Sequence, residues 1–201
     1  MPVRGVVFDV GNVMVRWDPR TLYSKIFPEP AQRDWFLANV CTMAWHMRHD
    51  DGVPFADNRA PLLERYPEHA EAIVAWETRW WEMFSGPIPE TEAAIEAMHA
   101  RGVTLLGLTN MPSSTAAGTF AMSPAFGRLA HIVVSGDVGL AKPDPRIFEL
   151  TARHAGLAPA ELLFVDDSRR NVEAAAAVGF ATHHFTDPAA LAPALAAHGL
   201  L

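Results

Sequence analysis

The sequence Val6-Val7-Phe8-Asp9-Val10-Gly11-Asn12-Val13 decides the fold, because it joins a buried strand to a polar turn. Three apolar residues precede Asp9, and Gly11 breaks the strand two positions later. This pattern places Asp9 at the carboxyl end of the strand, the edge at which open parallel α/β sheets bind their ligands. A lone aspartate at such a position often only caps a turn. The polar residues at the other strand ends therefore decide what Asp9 does.

The length of 201 residues indicates one large domain, or a core with a smaller insert, and half of these residues are hydrophobic, so a full core can be buried. A net charge of −7 without a basic block argues against nucleic acid and against an anionic membrane surface. The single Cys41 excludes an internal disulfide and suits a reducing compartment. The apolar run at the amino terminus is cut by Asp9, and no apolar stretch reaches transmembrane length. We expect a soluble cytoplasmic protein that is a monomer or a homodimer.

Residues 17–85 have apolar side chains at helical spacing and no good strand pattern, and they contain all six tryptophans. The predicted helices lie at Leu22–Phe27, from Trp35 to as far as Met47, at Leu62–Tyr66 and from Glu71 to Phe84. Residues 11–16 are predicted to form an irregular flap, and residues 85–89 a linker rich in Gly and Pro. These features predict a small helical cap domain at 17–85, inserted into a core of residues 1–16 and 86–201.

Helices and strands alternate after the linker, which predicts an α/β fold with a Rossmann-like parallel-sheet core. Polar residues follow four of its strands: Asp9, Thr109 with Asn110, Ser135 with Lys142 beyond it, and Asp166 with Asp167. Each of these alone is as well explained by a turn or a helix cap. Together, at one edge of one sheet, they predict a shared site.

The residue types at these strand ends indicate phosphoryl chemistry. Several carboxylates without His or Cys among them form a hard oxygen site that suits Mg²⁺ and a substrate phosphate. The metal would neutralise a phosphoryl group, so that Asp9 could attack it and form an aspartyl-phosphate that water hydrolyses. The Thr109 hydroxyl and the Asn110 backbone N–H are predicted phosphoryl donors. Lys142 supplies a fixed positive charge, or forms a structural ion pair with Asp9 and Asp167, or does both.

Four stretches of the chain resemble the four motifs of the haloacid dehalogenase superfamily. They are Phe8–Val13, Leu108–Asn110, Ser135–Asp137 through Lys142–Pro145, and Phe164–Asp167 with Asn171. The resemblance implies a Rossmann-like core, Mg²⁺ dependence and a phosphohydrolase acting on a small phosphorylated metabolite. The Asp-x-Gly-Asn-Val form is most similar to bacterial sugar-phosphate phosphatases of the group and, less closely, to the phosphatase domain of soluble epoxide hydrolases.

The same resemblance implies a role for each site residue. Asp9 is expected to be the nucleophile and a metal ligand, and Asp167 the second metal ligand with Asp166 at its side. Thr109 and Asn110 are expected to bind phosphate, and Lys142 to stabilise the nucleophile. This chain departs from the pattern at Gly11, where most phosphatases of the superfamily carry the aspartate that serves as general acid and base.

The Gly11 carbonyl can still bind the metal, but glycine cannot move a proton. General acid–base catalysis is worth about 10²–10⁴ in rate. We therefore expect a slow enzyme, or one restricted to leaving groups that need little protonation, with a rate that depends steeply on leaving-group pKa. A build-up of aspartyl-phosphate is expected for the same reason, because the attacking water has also lost its base.

The predicted cap should choose the substrate, and its polar turn Trp45–Gly52 is the expected contact stretch. His46 is the favoured substrate-binding residue, with Arg48, Arg20 and Trp17 as further candidates. Alternatively, Trp45 and Met47 belong to the core of the cap and the rest of the stretch is a solvated turn. The other tryptophans (Trp76, Trp80 and Trp81) are expected in cap packing or a dimer surface, and His183 and His184 are expected to be structural.

Two other functions compete with a phosphatase. A 2-haloacid dehalogenase uses an aspartate nucleophile in this fold without a metal, which would leave Asp166 and Asp167 idle. The first motif here also lacks the aromatic-Gly-Thr pattern of such enzymes. Alternatively, Gly11 marks a catalytically degenerate site that binds a phosphometabolite without turnover, although the nucleophile, the lysine and the metal acids are all present.

Overall fold

The computed structural model describes residues 2–201, and within them seven strands form two sheets. The strands are β1 (Gly5–Phe8), β2 (Val15–Trp17), β3 (Phe84–Pro87), β4 (Thr104–Thr109), β5 (His131–Val134), β6 (Leu162–Asp166) and β7 (Ala181–His184). The larger sheet has the order β5-β4-β1-β6-β7, and every neighbouring pair in it is parallel. This sheet confirms the predicted α/β class.

The α-helices connect the strands of the large sheet or lie between β2 and β3, except for the last helix, which follows β7. They are α1 (Pro19–Ile26), α2 (Pro30–Asn39), α3 (Met43–Asp50), α4 (Phe55–Arg65), α5 (Ala70–Thr78), α6 (Pro89–Ala100), α7 (Ser113–Phe120), α8 (Ser135–Val138), α9 (Pro145–Ala155), α10 (Arg169–Val178) and α11 (Leu191–Ala197). Among residues 2–201, none of the helices has the length and apolarity that a membrane crossing requires.

The central strand β1 is buried on both faces, which explains its uninterrupted apolar run. Val6 and Phe8 pack into the core on one side of the sheet, and Val7 packs into the core on the other. The register pairs Phe8 with Gly107 on one side and with Val165 on the other. The residues that follow these positions therefore emerge at one edge, side by side, as the sequence predicts.

Residues 15–17 and 84–87 pair as the antiparallel strands β2 and β3, so the prediction of an irregular flap joined to a linker was wrong at these positions. The two segments lie about seventy residues apart, and each has only three or four residues. A local pattern cannot reveal such a pairing, because each strand is defined by its partner. This two-stranded sheet brings the two ends of the helical section together, and its residues Trp17 and Phe84 line the same cavity as Asp9.

All four helices predicted within residues 17–85 have different bounds, and the first, α1, differs least, because it spans Pro19–Ile26 instead of Leu22–Phe27. The helix expected from Trp35 to Met47 is two helices, because Thr42 starts α3 by accepting a hydrogen bond from the Trp45 N–H. The helix expected to reach Phe84 ends at Thr78, and a separate 3₁₀ turn, Trp80–Met83, follows it. The third helix, α4, already begins at Phe55 and passes through Pro61.

The helices between β2 and β3 pack around an apolar cluster of their own, separate from the two clusters that cover the sheet. Tyr23, Phe36 and Trp76 are its largest fully buried members. This cluster gives the section an apolar core of its own. That residues 17–85 act as a cap distinct from residues 1–16 and 86–201 stays a prediction.

We expect Tyr23→Phe to lower the free energy of unfolding by about 1 kcal/mol, because a buried hydrogen bond is lost. The Tyr23 hydroxyl donates to the Ala72 carbonyl at 2.9 Å and so ties α1 to α5. Tyr66→Phe is the matched control, since its hydroxyl makes only an exposed contact of 3.4 Å with the Asn39 carbonyl. Urea denaturation of both variants measures the difference. Equal stability of the two would contradict the assigned contact.

Candidate active site

Three carboxylates meet at the carboxyl edge of the large sheet. Asp9 follows β1, Asp166 ends β6 and Asp167 comes next, and one oxygen from each lies within 4.8 Å of the others. Asp9 and Asp166 are buried, whereas Asp167 is exposed. The parallel register of β1 and β6 produces this arrangement, because the two strands end at the same level.

The Lys142 ammonium lies buried between two of these carboxylates. It is 2.8 Å from Asp9 Oδ1 and 2.7 Å from Asp166 Oδ2, and it also donates to the Leu108 carbonyl at 3.0 Å. An ammonium has three N–H groups, so these partners use all of them. The predicted ion pair therefore exists, but its second member is the buried Asp166 and not the exposed Asp167.

Charges and burial act together on this lysine and its partners. Burial raises the pKa of Asp9 to about 7, opposed by the positive charge of Lys142 and reinforced by the negative charge of Asp166. Burial alone would lower the pKa of Lys142, but the charges of Asp166 and Asp9 outweigh it and raise that pKa. Three carboxylates around one ammonium leave the site short of positive charge.

Both protein contacts of the Asp9 carboxylate are made by one oxygen. Oδ1 accepts from the Val10 N–H at 2.7 Å and from the Lys142 ammonium at 2.8 Å. Within residues 2–201, no protein donor contacts Oδ2. The orientation of the carboxylate is therefore fixed while its second oxygen is left for another partner.

Asp166 and Asp167 differ in their surroundings although they are neighbours in sequence. The Asp166 oxygens accept hydrogen bonds from Lys142, from the Ser168 N–H at 2.7 Å and from the Asn171 side chain at 3.1 Å and 3.2 Å. Asp167 is exposed and lines the same cavity as Asp9. Asp166 is thus saturated by protein donors, and Asp167 has the carboxylate that is open to a ligand.

Thr109 ends β4 beside this cluster and Asn110 follows it directly, and both line the cavity. The Asn110 side chain has a contact that the sequence did not suggest. Its side-chain amide donates to the Lys142 backbone carbonyl at 2.9 Å, and its Oδ1 accepts from the Lys142 backbone N–H at 2.8 Å. This reciprocal pair fixes the backbone from which the ammonium extends. The predicted phosphate contacts of Thr109 and Asn110 stay predictions.

Gly11 lines the cavity, and a Cβ atom built on it would meet no atom within 4 Å. Its predicted role as a carbonyl ligand of a metal is not tested by this geometry. The next residue, Asn12, adopts a left-handed conformation with φ 57°, which asparagine tolerates better than most residues. Its side-chain oxygen accepts from the Trp17 backbone N–H at 3.0 Å.

A cavity of about 250 Å³ lies over the carboxylates. The sheet side supplies Asp9, Gly11, Asn12, Thr109, Asn110, Met111, Lys142, Asp167 and Asn171, and the other side supplies Trp17, Met43, His46, Asp50, Trp80 and Phe84. The second group comes from β2, α3, β3 and the 3₁₀ turn before it. The section between β2 and β3 therefore forms one wall of the cavity.

His46, the predicted substrate-binding residue, lines the cavity and is buried. Its ring stacks on Trp17 at 5.2 Å between centroids and lies 5.6 Å from the ring of Trp80. Burial, followed by the nearby His49, lowers the pKa of His46 to about 3. The ring is therefore neutral at physiological pH and can offer a hydrogen bond but no charge.

Trp17 and Trp80 line the cavity beside His46, although Trp80 was expected only in packing or at a dimer surface. Arg48 and Arg20 are absent from its lining; Arg20 lies 3.5 Å from Asp34 on the exposed side of α1. Trp45 belongs to the core of the helical section, where its indole donates to the Asn58 carbonyl. Met47 is 45% exposed, so placing it in that core was wrong.

Asp50, the last residue of α3, also lines the cavity; it lies in the predicted contact stretch Trp45–Gly52, but the sequence did not single it out. It is only 7% exposed, and its Oδ1 has no hydrogen-bond partner among residues 2–201. Burial, then the charge of Asp51, raises its pKa to about 7, and Lys142 opposes them. The available signal was the spacing of His46 and Asp50, one helical turn apart, which placed both on one face.

Comparison with known proteins places the whole arrangement in a family. Residues 3–179 match the haloacid dehalogenase-like hydrolases. The chain belongs to this family. The phosphoglycolate phosphatase of Salmonella paratyphi A is 35% identical over 199 residues, covering 88% of this chain and 79% of that protein. The sequence-based recognition of the superfamily is therefore confirmed, and the chain is a hydrolase.

Solved structures share the fold of this haloacid dehalogenase-like hydrolase. The magnesium complex of a family member from Bacteroides thetaiotaomicron is 17% identical with a TM-score of 0.68, over 91% of this chain and 93% of the other. An L-2-haloacid dehalogenase is 22% identical with a TM-score of 0.65, over 90% of this chain and 83% of the other. At these identities the likeness concerns the fold and does not choose between the two chemistries.

Substitution of the two neighbouring aspartates should affect different properties of the protein. We expect Asp166→Asn to lower the free energy of unfolding by about 3–5 kcal/mol, because it removes one carboxylate from a buried ion pair. Asp167→Asn should change stability by less than about 0.5 kcal/mol, as is usual for an exposed side chain. It should instead weaken divalent-cation binding. Chemical denaturation and calorimetric titration with MgCl₂ measure the two effects, and equal destabilisation would contradict the assignment.

Proposed function

We propose that this protein is a Mg²⁺-dependent phosphohydrolase that acts on a small phosphorylated metabolite through an aspartyl-phosphate on Asp9. The observation that carries the proposal is the fixed Asp9 carboxylate, whose Oδ2 is free of protein donors beside a second, exposed carboxylate. A nucleophile has to be oriented and open to its substrate. The phosphatase relative supports the same class of reaction.

The residues present fit a magnesium ion. The donors are all oxygens, as this hard cation prefers, and three carboxylates face only one ammonium. Asp9, Asp167 and the Gly11 carbonyl would hold the ion, with Asp166 supporting them through Lys142. A bound Mg²⁺ would supply the missing positive charge and polarise the phosphoryl oxygens. Occupancy of the site would also favour the ionised form of Asp9 that the attack requires.

The protein residues supply the nucleophile, the positive charge and the phosphoryl-binding groups. Asp9 attacks phosphorus and later releases the phosphoryl group to water. Lys142 orients the nucleophile, and its charge stabilises the carboxylate and the transferring group at short range. The Thr109 hydroxyl and the Asn110 backbone N–H hold the phosphoryl oxygens. The aromatic wall excludes bulk water from the intermediate.

A 2-haloacid dehalogenase is the competing function, because the fold is shared with such enzymes. That reaction would leave the exposed Asp167 carboxylate without a task. A non-catalytic binding protein is disfavoured by the Lys142 network, which orients one carboxylate at the cost of burying three ionisable groups. Such a cost is expected where a reactive group has to be held in place.

The substrate we propose carries a neutral, hydroxylated leaving group, as a sugar phosphate does. Among residues 2–201, Lys142 is the only basic side chain in the cavity lining besides the neutral His46. All three of its N–H groups are already used. A substrate with a second anionic group would therefore meet Asp50 and aromatic rings without a compensating cation, at a high desolvation cost.

Unpartnered polar atoms on the cavity wall support this choice. Trp17 Nε1, Trp80 Nε1, His46 Nδ1 and Asp50 Oδ1 are buried and have no hydrogen-bond partner among residues 2–201. Buried polar groups without partners are uncommon in folded proteins. All four belong to residues that line the cavity. A polyhydroxylated ligand can satisfy such a set, because each hydroxyl both donates and accepts.

The phosphatase and dehalogenase functions predict opposite activities for the purified protein. We expect hydrolysis of p-nitrophenyl phosphate that requires Mg²⁺ and is abolished by EDTA, and no release of chloride from 2-chloropropionate. Asp9→Asn should abolish the hydrolysis, because the amide is a poor nucleophile. Release of chloride without added metal would establish the dehalogenase, and phosphate binding without turnover would establish the binding protein.

The cavity wall predicts the order of substrates. We expect hexose phosphates to give a higher kcat/KM than phosphoglycolate, because the leaving group of phosphoglycolate carries a carboxylate. Trp80→Phe should raise KM for a hexose phosphate several-fold, since it removes a donor and part of the wall. Trp81→Phe is the matched control, because Trp81 is 46% exposed and lies outside the cavity lining. Preference for phosphoglycolate would contradict the proposed substrate class.

A further inference from the structure

We propose that Asp50, presented by helix α3, is the general acid and base that the first motif lacks at Gly11. This inference rests on the proposed phosphatase function and deepens it. It assigns the proton transfers of the reaction to a residue of the helical section and not to the loop after β1.

The position of Asp50 suits a proton-transfer group. It lines the cavity together with Asp9, it is 93% buried, and its Oδ1 has no partner among residues 2–201. Its backbone is held firmly, because the Ser135 hydroxyl donates to the Asp50 carbonyl at 2.7 Å. Ser135 begins α8 directly after β5 and thereby ties the end of α3 to the sheet. The side chain is thus free to react while its main chain is fixed.

The other ionisable residues of the cavity are unsuited to this role. Asp9 is the nucleophile, and Asp167 is a proposed metal ligand. Lys142 is fully engaged by its three acceptors, and His46 stays neutral because burial lowers its pKa to about 3. Asp50 is then the carboxyl of the cavity lining that has no other task.

The acidity of Asp50 suits catalysis near neutral pH. Burial raises its pKa to about 7, Asp51 adds to the effect, and Lys142 opposes it. A general acid and base works best when its pKa is close to the working pH. His46 Nε2 lies 3.6 Å from Asp50 Oδ1 but carries no positive charge that could lower this pKa.

Few other charges face Asp50 from the elements packed around it. Asp9 and Asp167 share its cavity, and α8 carries Asp137. Further along α3, His49 contacts Asn58 of α4, and the charges of Glu77 and Arg48 act on that histidine. The pKa of Asp50 is therefore set by its burial, by the charge of Asp51 and by the opposing charge of Lys142.

The two proton transfers balance over one turnover. In the first step an Asp9 oxygen forms a bond to phosphorus, the bond from phosphorus to the leaving oxygen breaks, and protonated Asp50 gives its proton to that oxygen. In the second step the oxygen of a water molecule forms a bond to phosphorus and the Asp9–phosphorus bond breaks. The Asp50 carboxylate takes a proton from this water and returns to its starting form.

The decisive measurement is the dependence of rate on leaving-group pKa in Asp50→Asn. With wild type, kcat/KM should vary little across a series from p-nitrophenyl phosphate to alkyl phosphates, instead of falling steeply as expected without a general acid. Asp50→Asn should lose about 10²–10⁴-fold on alkyl phosphates and much less on p-nitrophenyl phosphate. Rapid-quench experiments with p-nitrophenyl phosphate should show a larger burst of aspartyl-phosphate in this variant.

The pH profile gives a second readout. Wild-type kcat/KM should fall as the pH rises above about 7, because the acid form of Asp50 is lost. Asp50→Asn should lack this fall. Asp51→Asn is the matched control: its optimal kcat should be unchanged, and its basic limb should move to lower pH, since a charge that raises the pKa of Asp50 is removed.

Gly11→Asp in the Asp50→Asn background distinguishes a lost proton donor from a damaged fold. A Cβ atom at position 11 would meet no other atom within 4 Å, so the first side-chain atom of an aspartate can be added there without a clash. The double variant should recover at least tenfold on alkyl phosphates relative to Asp50→Asn alone. Unchanged leaving-group dependence in a folded Asp50→Asn would overturn the role of Asp50 while leaving the phosphatase intact. Absence of Mg²⁺-dependent hydrolysis in wild type would instead overturn the proposed function.

Discussion

The buried ammonium of Lys142 is the interaction on which the rest of this site depends. It joins Asp9 on β1 to Asp166 on β6 and to the Leu108 carbonyl on β4, so three adjacent strands share one cation. An isolated charge at this depth would be unstable, and so would either carboxylate alone. The requirement to keep all three together explains why Asn110, Ser168 and Asn171 are committed to holding the lysine and Asp166.

The sheet edge could be predicted from the sequence because it depends on local patterns. Each strand is a short apolar run, and each polar residue follows directly, so parallel pairing alone brings Asp9, Thr109 and Asp166 together. The order of the strands and the identity of the lysine's second partner could not be read in this way. The strand order depends on pairing between distant parts of the chain. The second partner depends on which of two neighbouring aspartates is buried, and the buried one is Asp166, which accepts hydrogen bonds from the Ser168 N–H and the Asn171 side chain.

The wall opposite the sheet was less predictable for a physical reason. Its residues come from β2, α3, β3 and a 3₁₀ turn, whose mutual positions depend on a strand pairing across the whole helical section. His46 was favoured because it lies in a stretch dense in side chains that bind hydroxyls or phosphate. Asp50 lies in the same stretch but was not singled out, because an Asp-Asp-Gly sequence is typical of a surface turn. Only the structure reveals that the first aspartate of this sequence is buried and the second is exposed.

The position of Asp50 on helix α3, which also contacts the cavity through Met43 and His46, has a consequence for how such an enzyme can diversify. Where the proton donor lies in the loop after β1, the substrate wall can change through mutation while the reaction chemistry is inherited intact. Here Met43, His46 and Asp50 occupy a single helix of eight residues. Any change that moves this helix to admit a new substrate also alters the burial, and with it the acid strength, of Asp50. Substrate choice and reaction rate would then evolve as one trait.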